Sequence, residues 1–378
     1  MLKHWRNRAA ALGLSLCLVG ALCPVAQAVG PEVSAQSAVV LTADTGTVLF
    51  EKDGHTPRPV ATKIMTALLA LEAAQEQGDP LVDITQEMVA VEGSSMGLQA
   101  GDSISLTGLA AGMLLASGND AANAAALYLD GSLESFAARM NQRAAALGME
   151  DTHFVTPSGL DGEDAQGLGH LSTAYDMALL ARAALEDQAF RQLCSSPSLA
   201  VEFAEPVKRV TYTNHNKLLA QYQGCVGVKT GFTKEAGRCL VSAAERDGAL
   251  LIAVTLNAPN DWQDHTALLD YGFSQVEPYQ LAGGDVRLTV PVVGSPEEAV
   301  SLRGSNGGEV TLPLGQGAQV ERGVHAPKFL YAPVEAGEQV GEICWYLEGQ
   351  LLGSAPLTAA GAAPLQEKAP SLWERLFG

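Results

Sequence analysis

At 378 residues the chain is long enough for two domains and a sizeable buried core. Its composition, 47% hydrophobic and 17% charged, excludes both a disordered chain and one that crosses a membrane many times. A formal net charge of −19, from 42 acidic residues against 23 Lys and Arg, argues against a nucleic-acid partner, because such a surface repels polyphosphate. The chain opens on a basic start (Lys3, His4, Arg6, Arg8), an apolar run from Ala9 to Cys23 and the small-x-small pattern Ala26-Gln27-Ala28. That is a signal peptide over 1–28, with an uncleaved anchor as the alternative. Leu22 is too bulky for lipid attachment at Cys23. Removing the leader takes three cations away and leaves the mature chain at about −22.

Two β-branched runs, SAVVL and TVLFE, flank the turn residues Asp44, Thr45 and Gly46, so residues 37–52 are expected to form a hairpin. Residues 62–75 follow as a helix that is apolar nearly all round, which places it at the centre of a domain. Further helices are expected over about 106–116, 119–129, 133–147 and 173–187. Strands return over about 225–230, 238–245 and 250–256, and an amphipathic helix over about 261–271 closes this part of the chain. The order implies one antiparallel sheet sandwiched by helices. After Tyr279 the texture changes to short alternating strands (VRLTVPVV, EVTLPL, EICWYL) punctuated by Gly and Pro, as in a separate all-β domain. The expected division is 29–279, 280–358, and a linker with a short tail over 359–378. In that tail, SLWERLFG, the residues Leu372, Trp373, Leu376 and Phe377 share a helical face and could rest on a membrane surface; a loosely ordered tail is the alternative.

The cysteines left after the leader are Cys194, Cys225, Cys239 and Cys344. They match no zinc spacing, and the histidines show no metal-ligand spacing, so neither metal nor cofactor is expected. Cys225 and Cys239 could face each other across a hairpin, with buried free thiols as the other reading.

Three short motifs stand in a fixed order. The first is a lysine at a helix start, in Val60-Ala61-Thr62-Lys63; the second is Ser117-Gly118-Asn119, between helices; the third is Lys229-Thr230-Gly231, on a strand. Singly, Lys63 is a common helix-start residue and Ser117 a common cap. Together, and with flanks such as TKIMTALLALE, SGNDAA, NHNKLL, GVKTGFTKEAGRCLVSAA and LLDYGF, the chain resembles the serine-type D-Ala-D-Ala carboxypeptidases, low-molecular-mass penicillin-binding proteins, continuously from about Ala35 to Tyr279. The resemblance implies a penicillin-binding, serine β-lactamase-like α/β fold, with an antiparallel sheet flanked by helices, a helical subdomain and a C-terminal all-β domain. It also implies an exported cell-envelope protein whose partners are peptidoglycan stem peptides ending in D-Ala-D-Ala and, given a nucleophile, β-lactams.

By the same resemblance Lys63 is the general base, its pKa lowered by burial and a second cation, Lys229. Ser117 relays a proton, Asn119 holds Lys63 and the peptide amide, and Thr230 binds the substrate carboxylate. Gly231 permits close approach, and the Phe232 N–H is an oxyanion donor. The family's helix-start serine is missing: two residues are absent from matching sequence, and by position Val60 occupies the nucleophile slot three before Lys63. Valine cannot attack a carbonyl. Thr62 points to another helix face, Thr66 lies one turn deeper in the core, and Thr56 lies before the helix. The readings are therefore a carboxypeptidase that forms an acyl-enzyme, or a pseudoenzyme that keeps the groove as a peptide-binding or regulatory module. A β-lactamase is disfavoured, since no additional deacylating glutamate is evident. His170 is expected to be structural, and Asp120 to support the first turn of its helix.

Overall fold

The computed structural model describes residues 30–60 and 63–367. The expected signal peptide, Thr62 and the amphipathic tail lie outside the described residues. In chain order the first part comprises β1 (Ser37–Thr42), β2 (Val48–Lys52), β3 (Arg58–Pro59), α1 (Ile64–Gln77), β4 (Leu81–Asp83), β5 (Ser103–Ser105) and α2 (Leu106–Leu115). Then come α3 (Asn119–Asp130), α4 (Leu133–Ala146), β6 (Leu171–Ser172), α5 (Ala174–Glu186), α6 (Gln188–Ser195), β7 (Ser198–Phe203) and β8 (Lys208–Thr213). It finishes with α7 (Leu218–Gln221), β9 (Cys225–Thr233), β10 (Gly237–Arg246), β11 (Ala249–Leu256) and α8 (Asp261–Ser274).

The central sheet runs β2-β1-β11-β10-β9, and every neighbouring pair is antiparallel. Its strands are β-branched and apolar on both sides, because helices cover both faces. Val39, Leu41, Val241, Ile252 and Val254 join a large core with α1, α2, α3, α5 and α6. Val40, Leu240, Leu251 and Ala253 pack beneath α8 on the other face, against Leu268 and Leu269. Helix α1 is the hub: Ile64, Met65, Thr66, Ala67, Leu68, Ala70 and Leu71 are all buried, so its first two turns show no stripe to water, and only the end, at Gln75, Glu76 and Gln77, is exposed. It stops at Gly78, whose φ of 76° closes the helix in the left-handed region a side chain would disfavour. The β7–β8 hairpin, with α6 before it, was not expected from the sequence.

The second part holds β12 (Val276–Gln280), β13 (Arg287–Val293), β14 (Ala299–Gly304), β15 (Glu309–Pro313), β16 (Glu321–His325), β17 (Leu330–Tyr331), β18 (Gln339–Leu347) and β19 (Gln350–Ala359). Six of these strands form one sheet, ordered β16-β18-β19-β14-β13-β17, and β12 pairs with β15. They enclose their own apolar core around Leu302, Leu312, Ile343, Trp345 and Leu357. This part meets the β1–β2 turn through Asp44, whose carboxylate accepts the Thr311 N–H at 2.6 Å, and through Gln350, which donates to the Thr45 carbonyl at 2.9 Å. Cys194, Cys225 and Cys344 are free thiols. Cys225 stands opposite Ala244 and Cys239 opposite Gly231, so the β9–β10 register keeps those two apart.

Candidate active site

Among the described residues strand β9 ends the central sheet and pairs there with β10 alone, which leaves its outer edge open. A cavity of about 340 Å³ lies along that edge. Lys63, Ser117, Asn119, Lys229, Thr230, Gly231 and Phe232 all line it, which brings the three sequence motifs together. Each is delivered by a different local device.

Lys63 stands at the N-terminal boundary of α1 with non-helical backbone (φ −120°, ψ 14°), so its side chain leaves the helix axis and points into the cavity floor. Ser117 sits in the middle of the three-residue break between α2 and α3 at a φ of 58°, a conformation that non-glycine residues rarely adopt. The break is held by Gly118 N–H donating to Gly112 O and Asn119 N–H donating to Ser94 O. Lys63 Nζ reaches Ser117 Oγ at 3.5 Å, a long contact. Asn119 donates from Nδ2 to Glu92 O at 2.6 Å, so that nitrogen serves the 92–98 loop. The loop lies so close there that a Cβ on Gly93 would stand 2.8 Å from Asn119 Nδ2, and Gly93 has a φ of +87° besides.

Asp120 does far more than stabilise its own helix turn. Its carboxylate accepts Ser95 Oγ–H at 2.6 Å and the N–H groups of Met96, Gly97 and Leu98 at 2.9, 3.1 and 3.0 Å. It thereby clamps the wall of the cavity opposite β9. On the strand side, Lys229 is 3% exposed and donates to Thr230 O at 2.8 Å. Burial lowers Lys63 to about 8, partly opposed by the negative charge of Asp120. Burial and the neighbouring Lys63 lower Lys229 to about 7. Both lysines are therefore held near the pH at which an amine can exchange a proton.

The mouth carries residues that sequence reasoning did not single out. Arg238 on β10 sits opposite Phe232 and is gripped by the Asp261 carboxylate, with Nε and Nη2 donating at 2.8–3.0 Å. Its guanidinium lies 6.0 Å from the Trp262 ring centre. His215, Ser158, Gly159 and Leu160 complete the lining. These lie within stretches that the sequence offers only as flanks: His215 in NHNKLL, Arg238 in GVKTGFTKEAGRCLVSAA, and Ser158, Gly159 and Leu160 in MNQRAAALGMEDTHFVTPSGLDG. Pairing of β9 with β10 is what brings Arg238 to the cleft.

Val60 is not in the cavity. It is 3% exposed and belongs to the main core, and its N–H donates to His170 O at 3.3 Å. The three-residue spacing to Lys63 presupposed a helical turn there, yet α1 begins only at Ile64. Thr66 is fully buried and donates to Pro157 O at 2.6 Å, and Thr56 is exposed outside the cavity, so neither faces the two lysines. His170 is buried, packs on Phe154 and accepts the Val155 N–H at Nδ1. Among the described residues no group of three or more His, Cys, Asp or Glu could hold a metal ion.

Residues 25–260 match the family described as D-alanyl-D-alanine carboxypeptidase, and residues 273–364 match the family described as penicillin-binding protein 5, C-terminal domain. The chain belongs to the D-alanyl-D-alanine carboxypeptidase family. D-alanyl-D-alanine carboxypeptidase DacF of Bacillus subtilis is 30% identical over 335 residues, which are 86% of this chain and 85% of that protein. D-alanyl-D-alanine carboxypeptidase DacB2 of Mycobacterium tuberculosis is 34% identical over 252 residues, 65% of this chain and 84% of that protein. Among solved structures, penicillin binding protein 5 from Haemophilus influenzae matches with a TM-score of 0.66 at 26% identity, covering 88% of this chain and 98% of that one. The sheet flanked by helices with an all-β unit behind it is thus the penicillin-binding-protein architecture expected from the motifs. Three residues before Lys63 the chain carries Val60, a side chain without a hydroxyl.

Proposed function

We propose that the cleft binds the D-alanyl end of peptidoglycan stem peptides, and that this chain, a hydrolase by family, holds them without cleaving them. The observation that carries this reading is the convergence of Lys63, Ser117, Asn119, Lys229 and Thr230 on one cavity while residue 60 is a valine turned into the core. The open edge of β9 suits an extended peptide laid along it as an added strand. Thr230 takes the substrate carboxylate, Gly231 lets backbone meet backbone, and the Phe232 N–H faces the peptide carbonyl as an oxyanion donor. Asn119 fixes the loop and orients the peptide amide.

In the family reaction a serine oxygen attacks the penultimate carbonyl, its proton passes to the lysine amine, and the D-alanine amine leaves with a proton through the second-motif serine. Water then hydrolyses the ester. In this reading Lys63 and Ser117 would carry those proton transfers, which their 3.5 Å contact supports, and the attacking oxygen is what the sequence lacks. Turnover through a substitute hydroxyl is the second reading, favoured by the 3.5 Å contact of Ser117 Oγ with Lys63 Nζ. Covalent labelling by a fluorescent penicillin separates the two: the binding-only reading expects none.

In this reading residues 29–279 form the peptide-binding domain and 280–358 a separate β-domain, supported by the latter's own core, with β12, which pairs with β15, leading from one to the other. Export through the 1–28 leader places the protein in the cell envelope. Peripheral contact with a membrane is assigned to Leu372, Trp373, Leu376 and Phe377; among the described residues no helix is long and apolar enough to cross one.

A further inference from the structure

We infer that the cleft is a receptor for a free peptide α-carboxylate seated between Lys63 and Lys229, so that a stem peptide ending in one D-alanine binds more tightly than one ending in D-alanyl-D-alanine. This rests on the proposed reading of the cleft as a non-cleaving site for D-alanyl ends. It goes beyond that reading by making the trimmed peptide, rather than the peptide still to be trimmed, the preferred ligand.

The charge inventory of the cavity carries the argument. Lys63 and Lys229 are 7% and 3% exposed, and among the described residues neither is ion-paired. The carboxylates near them are already engaged. Asp120 gives its oxygens to Ser95 Oγ and the Met96, Gly97 and Leu98 amides, and Asp261 gives its own to Arg238. The histidines that face the lysines add no negative charge: His215 lies on the wall near Lys229, and His170 behind Lys63. Two buried amines thus share one small cavity with hydroxyl and N–H donors and without a free anion. A buried cation without a partner is costly, and an incoming carboxylate relieves two at once.

The geometry of trimming decides which carboxylate that is. In a D-alanyl-D-alanine peptide the group beside the lysines is a neutral amide carbonyl, and the terminal carboxylate lies one residue further along β9, towards Thr230. Removing the last residue turns that carbonyl carbon into a carboxylate at the same point. Among the described residues no serine oxygen stands three residues before Lys63, where Val60 faces the core. The protonation states follow. Burial holds Lys63 at about 8 and Lys229 at about 7, so at neutral pH each is partly uncharged; a bound carboxylate raises both, and binding takes up protons. Affinity is greatest below pH 7 and falls as the pH rises through 7 to 8, where the empty site loses its charge.

The test is isothermal titration of the full chain with diacetyl-L-Lys-D-Ala, its D-Ala-D-Ala homologue, and the D-alanine amide of the shorter peptide, in two buffers of different ionisation enthalpy. The expected result is at least tenfold tighter binding of the single-D-alanine acid than of either other peptide, with net proton uptake. Lys229→Met and Lys63→Met, each checked for folding by circular dichroism, should abolish the preference. Equal or tighter binding of the D-Ala-D-Ala peptide, or binding of the amide as tightly as the acid, overturns the inference and leaves the peptide-site reading standing. Failure of all three peptides to bind overturns both.

Discussion

Replacing Asp120 with alanine should loosen the wall of the cleft and lower the stability of the whole domain. The carboxylate is 2% exposed and accepts four hydrogen bonds from residues 95–98, besides one from its own helix at Ala121 N–H. Alanine takes the acceptor from Ser95 Oγ–H and from the Met96 and Leu98 amides, while the Gly97 N–H keeps Ser95 Oγ at 2.8 Å. Ser95 and Gly97 are exposed and can turn to water, whereas Met96 and Leu98 are 4% and 6% exposed and cannot. An orphaned buried amide costs about 1–3 kcal/mol, so the two together give a loss of about 3 kcal/mol after partial relaxation. Urea unfolding followed by tryptophan fluorescence measures the loss, and hydrogen exchange locates it at the Met96 and Leu98 amides. A second consequence is electrostatic. The Asp120 charge opposes the effect of burial on Lys63, so its removal should bring Lys63 further below about 8. A loss under about 1 kcal/mol, with unchanged exchange at Met96 and Leu98, would refute the clamp.

Lys229→Met should stabilise the protein by about 2 kcal/mol at pH 6, because it removes an unpaired buried cation. The native pKa lies near 7 and the unfolded one near 10.5, so the gain is full below pH 7 and shrinks as the pH rises towards 10.5; a gain independent of pH would count against the assignment. His170, held near 4 by burial, stays neutral in the native state while the unfolded chain takes up its proton below about 6.5. Stability should therefore fall as the pH drops from 6.5 to 4, by about 3 kcal/mol from this residue. The His170→Phe variant should lose that share and keep the part due to His265, which burial holds at about 3; unfolding curves at several pH values check this.

The parts of the fold visible in the sequence are those where a periodic pattern and its packing agree. Helix α1 was legible because a run with no polar face must be central, and the β1–β2 hairpin because turn residues separate two β-branched runs. The β7–β8 hairpin has a similar alternation, SLAVEF and KRVTYT, but lies between helices and has no tight turn signal like that of β1–β2 to mark it. The three motifs could be read as one site only because their order and flanks resemble a family; no spacing brings Lys63 next to Ser117. What sequence could not give was direction. Val60 was placed on a helix face by counting back from Lys63, whereas α1 starts later and the valine follows β3 into the core. For Cys225 and Cys239 the sequence leaves a cross-strand pair and separate thiols both open, and the β9–β10 register sets each against a different residue. Asp120 was seen as a helix-start acid, because the loop it grips is more than twenty residues earlier in the chain.

The most direct test of the account compares labelling by a fluorescent penicillin in two chains: the sequence as it stands, and one with a Ser-Thr pair inserted between Ala61 and Thr62. The insertion restores a serine three residues before Lys63, which Val60→Ser would not do, because residue 60 is directed into the core. Losing the attacking hydroxyl of a unit that acts together removes nearly all of its rate enhancement. The expected result is no stable label on the unaltered chain and a label on the inserted serine in the other, mapped by mass spectrometry. A stable label on the unaltered chain, at Ser117 or any other hydroxyl in the cleft, would contradict the account.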